Sequence, residues 1–213
     1  MLADAQTLLL DMDGTLLDLD FDNHFWNVQV PQALAEARGE PLERVRQDLF
    51  AAIKAAEGTL DWYCLDYWSR QLDFDLIAFK RTVTERIRFL DGASEFLERA
   101  RASGRRLILV TNAHPDTLAI KDEVTDVTAM MDAVICSHHI GLPKEDARFW
   151  PVVLAQLQHA PEGALLVDDS PAVLATASQF VPVIAIAKPD SQRPSRDMAP
   201  HKSVERIDEL WVL

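Results

Sequence analysis

The chain has 213 residues, 48% of them apolar, with 34 acidic against 21 basic side chains and a net charge of −13. That supports one sizeable core, or a core with a smaller inserted domain, and the lack of any Lys/Arg run argues against a nucleic-acid polymer as partner. Two cysteines, Cys64 and Cys136, make no disulfide framework and fit a reducing compartment; the early residues, with Asp4 and no basic region, are unlike a signal peptide, no apolar stretch approaches the ~20 residues of a membrane span, and the expected location is cytoplasmic.

The first predicted element is a strand over about 6–11, where Thr7-Leu8-Leu9-Leu10 is an apolar run of the kind buried on both faces of a sheet. It stops at Asp11-Met12-Asp13-Gly14-Thr15. Asp11 and Asp13, two apart on extended chain, point the same way, and Gly14 allows a sharp turn. Residues about 18–90 carry helical spacing without strand-like alternation. Pro41 stands at a first helical position. Leu42, Val45, Leu49 and Ile53 then form one apolar stripe, and Gly58 ends that helix. Asp61 is placed to cap the aromatic stretch Trp62 to Trp68, and a further helix is expected at about 75–88.

From Gly92 the pattern turns to β/α alternation. A helix at about 93–103 is closed by Gly104. A strand, Arg106 to Val110, ends in Thr111-Asn112, followed by a helix at about 116–124, a strand at about 133–137 and a helix at about 146–158. A fourth strand, Ala164 to Val167, runs into Asp168-Asp169-Ser170, and Pro171 opens the next helix. A fifth strand is Val183 to Ile186; 188–203 reads as a polar loop and Val204 to Leu210 as a short helix. The alternation predicts an α/β, Rossmann-like doubly wound parallel sheet. Residues 1–17 and 91–213 form its core domain, and 18–90 form an inserted helical domain.

Ligands of such sheets sit at the carboxyl ends of the strands. Asp11 and Asp13, Thr111 and Asn112, Lys144, and Asp168 and Asp169 should therefore converge on one crevice. Four carboxylates there would repel one another unless a cation joined them, and Mg²⁺ takes oxygen ligands of this kind. A carboxylate can act as a nucleophile that forms an aspartyl-phosphate. A second one can protonate the leaving group and later activate water. Thr111 and Lys144 would supply a hydroxyl donor and a point charge to phosphoryl oxygens.

Asp11-Met12-Asp13-Gly14-Thr15, Thr111-Asn112, Lys144 and Asp168-Asp169 resemble, in order, the four motifs of the haloacid dehalogenase-like (HAD) hydrolase superfamily. The resemblance implies Asp11 as nucleophile and Asp13 as general acid/base. It implies Mg²⁺ held by Asp11, the Asp13 main-chain carbonyl and Asp169, with Asp168 bound more loosely or through water. It implies a substrate phosphate bound by Thr111, Asn112 and Lys144 with the backbone of Met12 and Gly14. The second aspartate of the first motif, Asp13, favours a phosphatase, because the family's dehalogenases lack it and its P-type ATPases carry threonine there. The insert resembles the family's C1-type cap, with hinges at Gly14 to Asp18 and near 89–92. Further stretches are similar to bacterial GMP/IMP nucleotidases of this superfamily: Asp18-Leu19, Phe21-Asp22-Asn23, Phe25-Trp26, Leu60 to Ser69, Thr111 to Pro115 and Pro143 to Asp146. That likeness implies a Mg²⁺-dependent phosphomonoesterase for purine 5′-mononucleotides, whose partner is a small-molecule phosphomonoester. The alternative within the superfamily is a sugar-phosphate phosphatase or phosphomutase, against which Arg38, Arg44 and Arg46 read as solvated. A non-enzymatic phosphate-binding domain is disfavoured because every motif carboxylate is present.

Trp62, Tyr63, Tyr67 and Trp68 admit two readings. They form the insert's own core, or they stack on a purine base while Asp61 or Asp66 accepts hydrogen bonds from its nitrogens. Tyr63 and Tyr67, four apart, would share a helix face. His138-His139 lack metal-ligand spacing and read as shaping the loop before Lys144. His114, close after Asn112, is a candidate for contact with the crevice, and Cys64 and Cys136 read as small buried hydrophobes.

Overall fold

The computed structural model describes residues 2–157 and 163–212; residue 158 of the predicted helix 146–158, and residues 1, 159–162 and 213 of the predicted core domain, lie outside the described residues. Six parallel strands form one sheet in the order β3-β2-β1-β4-β5-β6. They are β1 (Thr7–Leu10), β2 (Arg106–Thr111), β3 (Ala133–Cys136), β4 (Ala164–Asp168), β5 (Val183–Ile186) and β6 (Ser203–Val204). The Leu run of β1 is central, and its alternation serves both faces. Leu8 and Leu10 pack with Leu107, Leu109, Leu165 and Val167 against Ala93, Phe96 and Leu97. Leu9 packs with Ile108, Val110 and Leu166 against Phe149, Trp150 and Val173. The first face is covered by α7 (Ala93–Ala102), the second by α10 (Phe149–Leu157) and α11 (Pro171–Ala177). The remaining helices of this part are α8 (Pro115–Thr125) and α9 (Ser137–Ile140).

Between β1 and β2 lie α1 (Asp20–His24), a π-helical turn Phe25–Gln29, α2 (Val30–Arg38), α3 (Leu42–Ala56), α4 (Leu60–Tyr63), α5 (Leu65–Leu72) and α6 (Leu76–Arg81). They share a separate core that includes Phe25, Leu34, Val45, Leu49, Leu65 and Trp68. The two crossings between this segment and the sheet run side by side. Leu90 N–H donates to Leu16 O at 2.8 Å and Asp18 N–H to Arg88 O at 3.0 Å, with an antiparallel bridge between Leu17 and Phe89.

Several local expectations need correction. Pro41 is the N-cap of α3, with extended ψ of 130°, rather than its first helical residue. The helix itself runs to Ala56, and Gly58, at φ +81° just past the C-cap Glu57, closes it as expected. Thr59, not Asp61, holds the N-cap position of α4, and Asp61 lies within its first turn. Cys64 breaks the aromatic stretch into two helices. Its Sγ accepts from Tyr67 N–H at 3.4 Å, so this half-buried thiol caps α5 instead of filling a core. The expected helix 75–88 stops at Arg81; the chain then turns, with Ile87 N–H donating to Thr84 O, and residues 88–90 run beside 16–18. At the C-terminal end, Val204 is buried on the sheet edge as β6, and a 3₁₀ segment, Ile207–Val212, replaces the helix expected from Val204. Among the described residues no helix is long and apolar enough to cross a membrane.

Candidate active site

Register places the strand ends level with one another. Leu10 pairs with Leu109 and with Val167, so Asp11 sits beside Asp168, and Asp11 N–H donates to Val167 O at 3.0 Å. Gly14, at φ +87°, turns the chain away. An alanine Cβ there would lie 2.7 Å from Asp169 Cγ, so the missing side chain makes room for that carboxylate. Asp168 is fixed by Ser170 N–H on its Oδ1 at 2.9 Å, and Ser170 caps α11 by accepting from Val173 N–H.

Lys144 ties these ends together. Its Nζ donates to Asp11 Oδ1 at 2.5 Å, to Asp168 Oδ2 at 2.7 Å and to Val110 O at 3.1 Å. Asn112 anchors the loop that carries it, accepting from Lys144 N–H at 2.9 Å and donating to Glu145 Oε2 at 2.9 Å. Burial opposes the charge on Lys144, but Asp11 and Asp168 outweigh it and hold the ammonium above the usual lysine range. Burial, with Asp168 and Asp169 nearby, pushes the Asp11 carboxyl well up against the pull of Lys144. Burial and Asp168 push Asp169 up to about 7, although Arg196 Nη2 donates to its Oδ2 at 2.9 Å. Asp11, Asp168 and Asp169 each present a carboxylate oxygen within 4.8 Å of the others. Three hard oxygen donors crowded in burial suit a divalent cation such as Mg²⁺.

The crevice at these strand ends holds about 460 Å³, within the ~300–1,000 Å³ range of small-molecule sites. Asp11, Asp13, Thr111, Asn112 and Lys144 line it, as do Asp168 and Asp169. Thr111 Oγ1 accepts from Ala113 N–H at 3.0 Å. The Met12 side chain lies instead in the sheet core. The opposite wall is the helical segment, with Trp26 and Asn27 from the π-helical turn, Phe50 from α3, and Trp62 and Tyr63 from α4. Tyr63 Oη donates to Glu145 Oε1 at 2.5 Å, which joins the two parts across the crevice.

The aromatic side chains divide between the helical core and the crevice wall. Trp68 is buried in the helical core, and its Nε1 donates to Trp62 O at 3.0 Å; Trp62, which also packs on that core, Tyr63 and one side of Trp68 line the crevice. Tyr63 and Tyr67 share no helix face, because α4 ends at Tyr63. Asp61 and Asp66 do not line the crevice. Asp66 lies 3.6 Å from His114 Nε2, and His114 is buried at the start of α8, its Nδ1 accepting from Asp116 N–H, outside the crevice wall. His138 stands on the short helix α9 with its ring against His114, centroids 5.1 Å apart. Arg38 donates to Leu72 O and Arg44 pairs with Asp48 on the surface, both away from the crevice.

Sequence reasoning missed a line of charges beside Asp13. Lys121 of α8 donates to Asp13 Oδ1 and to Asp22 Oδ2, and Lys80 of α6 donates to Asp22 Oδ1 at 2.8 Å. Burial opposes ionisation of Asp22, yet Lys121 and Lys80 hold its carboxyl well below the usual range. The available signal was Thr117 with Lys121, a polar pair at i, i+4 on the inward face of α8, both buried.

Residues 5–180 match the model of the haloacid dehalogenase-like hydrolases. The GMP/IMP nucleotidase YrfG of Escherichia coli (strain K12) is 39% identical over 203 residues, which cover 94% of this chain and 91% of that protein. Among solved structures, the HAD phosphatase from Thermococcus onnurineus aligns with a TM-score of 0.80 at 21% identity, over 96% of this chain and 95% of that one. The HAD-hydrolase YfnB from Bacillus subtilis, bound to magnesium, aligns with a TM-score of 0.70 at 18% identity, over 98% and 97%. The chain belongs to the haloacid dehalogenase-like hydrolase family and is a phosphatase of it.

Proposed function

We propose that this hydrolase cleaves purine 5′-mononucleotides, GMP and IMP, to nucleoside and phosphate in a Mg²⁺-dependent reaction through an aspartyl-phosphate. The carrying observation is the buried clamp of Lys144 on Asp11 and Asp168 facing a wall of Trp26, Phe50 and Trp62. A phosphate at the strand ends would leave a flat base within reach of aromatic rings, on which stacking is worth about 1–3 kcal/mol. The nucleotidase relative, similar over nearly the whole chain, supports the same substrate class.

Asp11 is the nucleophile. Its carboxylate attacks phosphorus, the bond from phosphorus to the ribose oxygen breaks, and Asp13 gives that oxygen its proton. Asp13 then takes a proton from the water that hydrolyses the aspartyl-phosphate. Thr111, Asn112 and Lys144 orient the phosphoryl group, with the Met12 and Gly14 backbone beneath it. Asp11, Asp168, Asp169 and the Asp13 carbonyl would hold Mg²⁺, which supplies positive charge against the phosphoryl oxygens when bound. Residues 18–90 act as a cap whose paired crossings serve as hinges.

A Mg²⁺-dependent screen over nucleotides and sugar phosphates tests the substrate: IMP and GMP should rank first. Equal rates on sugar phosphates would overturn the substrate class and leave the phosphatase. Asp11→Asn should lose turnover with its circular dichroism unchanged, and wild-type activity in that variant would refute the nucleophile.

A further inference from the structure

We propose that Lys121 is a positioning residue for Asp13, and that through Asp22 it makes the placement of Asp13 depend on how the helical segment is seated. The inference rests on Asp13 being the acid/base group, as proposed above. Four side chains form a line of alternating charge: Asp13, Lys121, Asp22 and Lys80. Each lysine is 1% exposed, a state tolerated only because carboxylates surround the ammonium groups. Lys121 binds Oδ1 of Asp13, while Asp13 also lines the crevice. Lys121 itself does not line it. It therefore acts on Asp13 and not on the substrate.

The line crosses the junction between the two parts of the molecule. Asp13 follows β1 and Lys121 stands on α8, both in the sheet-bearing part. Asp22 stands on α1 and Lys80 on α6, both in the helical segment. Asp22 uses its two oxygens on two different lysines, so its carboxylate cannot rotate without breaking one bond. Phe21 and Phe25 surround the ammonium groups. Lys80 Nζ lies 4.6 Å from the Phe25 ring centre, and Lys121 Nζ 5.5 Å from that of Phe21. When the segment lifts, Asp22 leaves Lys121 and the grip on Asp13 changes; when it seats, the acid/base group is set beside the substrate.

The test uses Lys121→Met, which keeps the stem and removes the charge, on two substrates. IMP has an alkoxide leaving group that needs a proton. p-Nitrophenyl phosphate has a phenolate that leaves without one. On IMP, kcat should fall about 100-fold, the scale of lost acid–base catalysis, with KM within about threefold. On p-nitrophenyl phosphate the variant should release a burst of one nitrophenolate per site and then turn over slowly, because only the water step still needs Asp13. Equal losses on both substrates without a burst would assign Lys121 a merely structural role and overturn the proposal, as would wild-type turnover of IMP. Should Lys121→Met fail to fold, Asp22→Asn keeps the Asp13–Lys121 contact and weakens both ion pairs of Asp22, to Lys121 across the junction and to Lys80 within the segment. It should slow IMP about 3- to 10-fold, and wild-type kinetics there would equally overturn the coupling. A wild-type protein inert on both substrates with Mg²⁺ would instead overturn the phosphatase reading.

Discussion

Replacing Gly14 by alanine would put a methyl group 2.7 Å from Cγ and 2.8 Å from Oδ2 of Asp169, and 2.9 Å from Cβ of Pro189. Carbon atoms in contact prefer about 3.5–4.0 Å, so the carboxylate must shift by most of an ångström. It has little freedom to do so, because Arg196 Nη2 holds both its Oδ2 and its main-chain oxygen, at 2.9 and 2.8 Å. The backbone at φ +87° adds a left-handed cost of about 1–2 kcal/mol for a residue with a Cβ. Gly39 provides the control. It closes α2 at φ +64°, with nothing within 4 Å of its virtual Cβ, and so carries the backbone cost without the collision. Gly39→Ala should cost about 1–2 kcal/mol, and Gly14→Ala about 1–3 kcal/mol more from overpacking. At about 2–4 °C per kcal/mol for a chain of this size, the extra loss is at least a few degrees in Tm. The Mg²⁺ concentration for half-maximal activity should rise about 10- to 100-fold in Gly14→Ala alone, as when a ligand's support is disturbed. Melting curves and Mg²⁺ titrations of both variants decide the matter. Equal Tm losses and an unchanged Mg²⁺ midpoint would show that Gly14 does not serve Asp169, or that Asp169 holds no metal.

Three further outcomes are expected. Tyr63→Phe removes the donor to Glu145 across the crevice and should lower kcat/KM for IMP about 3- to 10-fold, the worth of one hydrogen bond; an unchanged value would deny the contact a role in closure. Phe50, 40% exposed on the crevice wall, should tolerate alanine within about 0.5 kcal/mol of stability while KM for IMP rises at least fivefold. An equal rise for p-nitrophenyl phosphate, which has no purine, would count against base stacking. Burial, with His114 and His139 beside it, pushes His138 down to about 4 from 6.5, and its two ring nitrogens find no hydrogen-bond partner among the described residues. The unfolded chain then binds more protons between these values, so stability should fall as pH drops from 6.5 to 4. Full burial would make this about 3 kcal/mol, and a part-buried ring about half of that. His138→Leu should flatten the slope of Tm against pH in that window, and an identical slope would place the titration elsewhere.

The sheet was legible because its first four strands are short apolar runs ended by polar residues, and both signals survive in the register that sets Asp11 beside Asp168. Cap positions within the insert were less legible. Thr59 in place of Asp61, and a thiol capping α5, depend on backbone angles that spacing does not encode. The strand β6 was missed because two residues carry no period. At the site, the motif residues on strand ends could be placed from sequence since the strands position them. Asp22, Lys80 and Lys121 could not, because a lysine is read as solvated unless the carboxylates that bury it are known, and here they come from segments up to 108 residues away.

The side-by-side crossings at Leu17 and Phe89 also bear on how the chain reaches this structure. Among the described residues β1 pairs with β2 and β4, so the central strand must wait for residues 99 positions downstream, as in the Thr7–Arg106 pair. Closing so long a loop is costly, and the cost grows with the logarithm of its length. A helical insert that condenses on its own Phe25–Trp68 core brings both crossings together and leaves about 24 residues of loop to close, from Leu10 to Leu17 and from Phe89 to Arg106. By that relation, this spares the sheet about 1 kcal/mol of closure entropy. The insert is thus a scaffold for assembly of the sheet as well as a wall of the crevice, and the refolding rate of Trp68→Ala is the quantity that reports it.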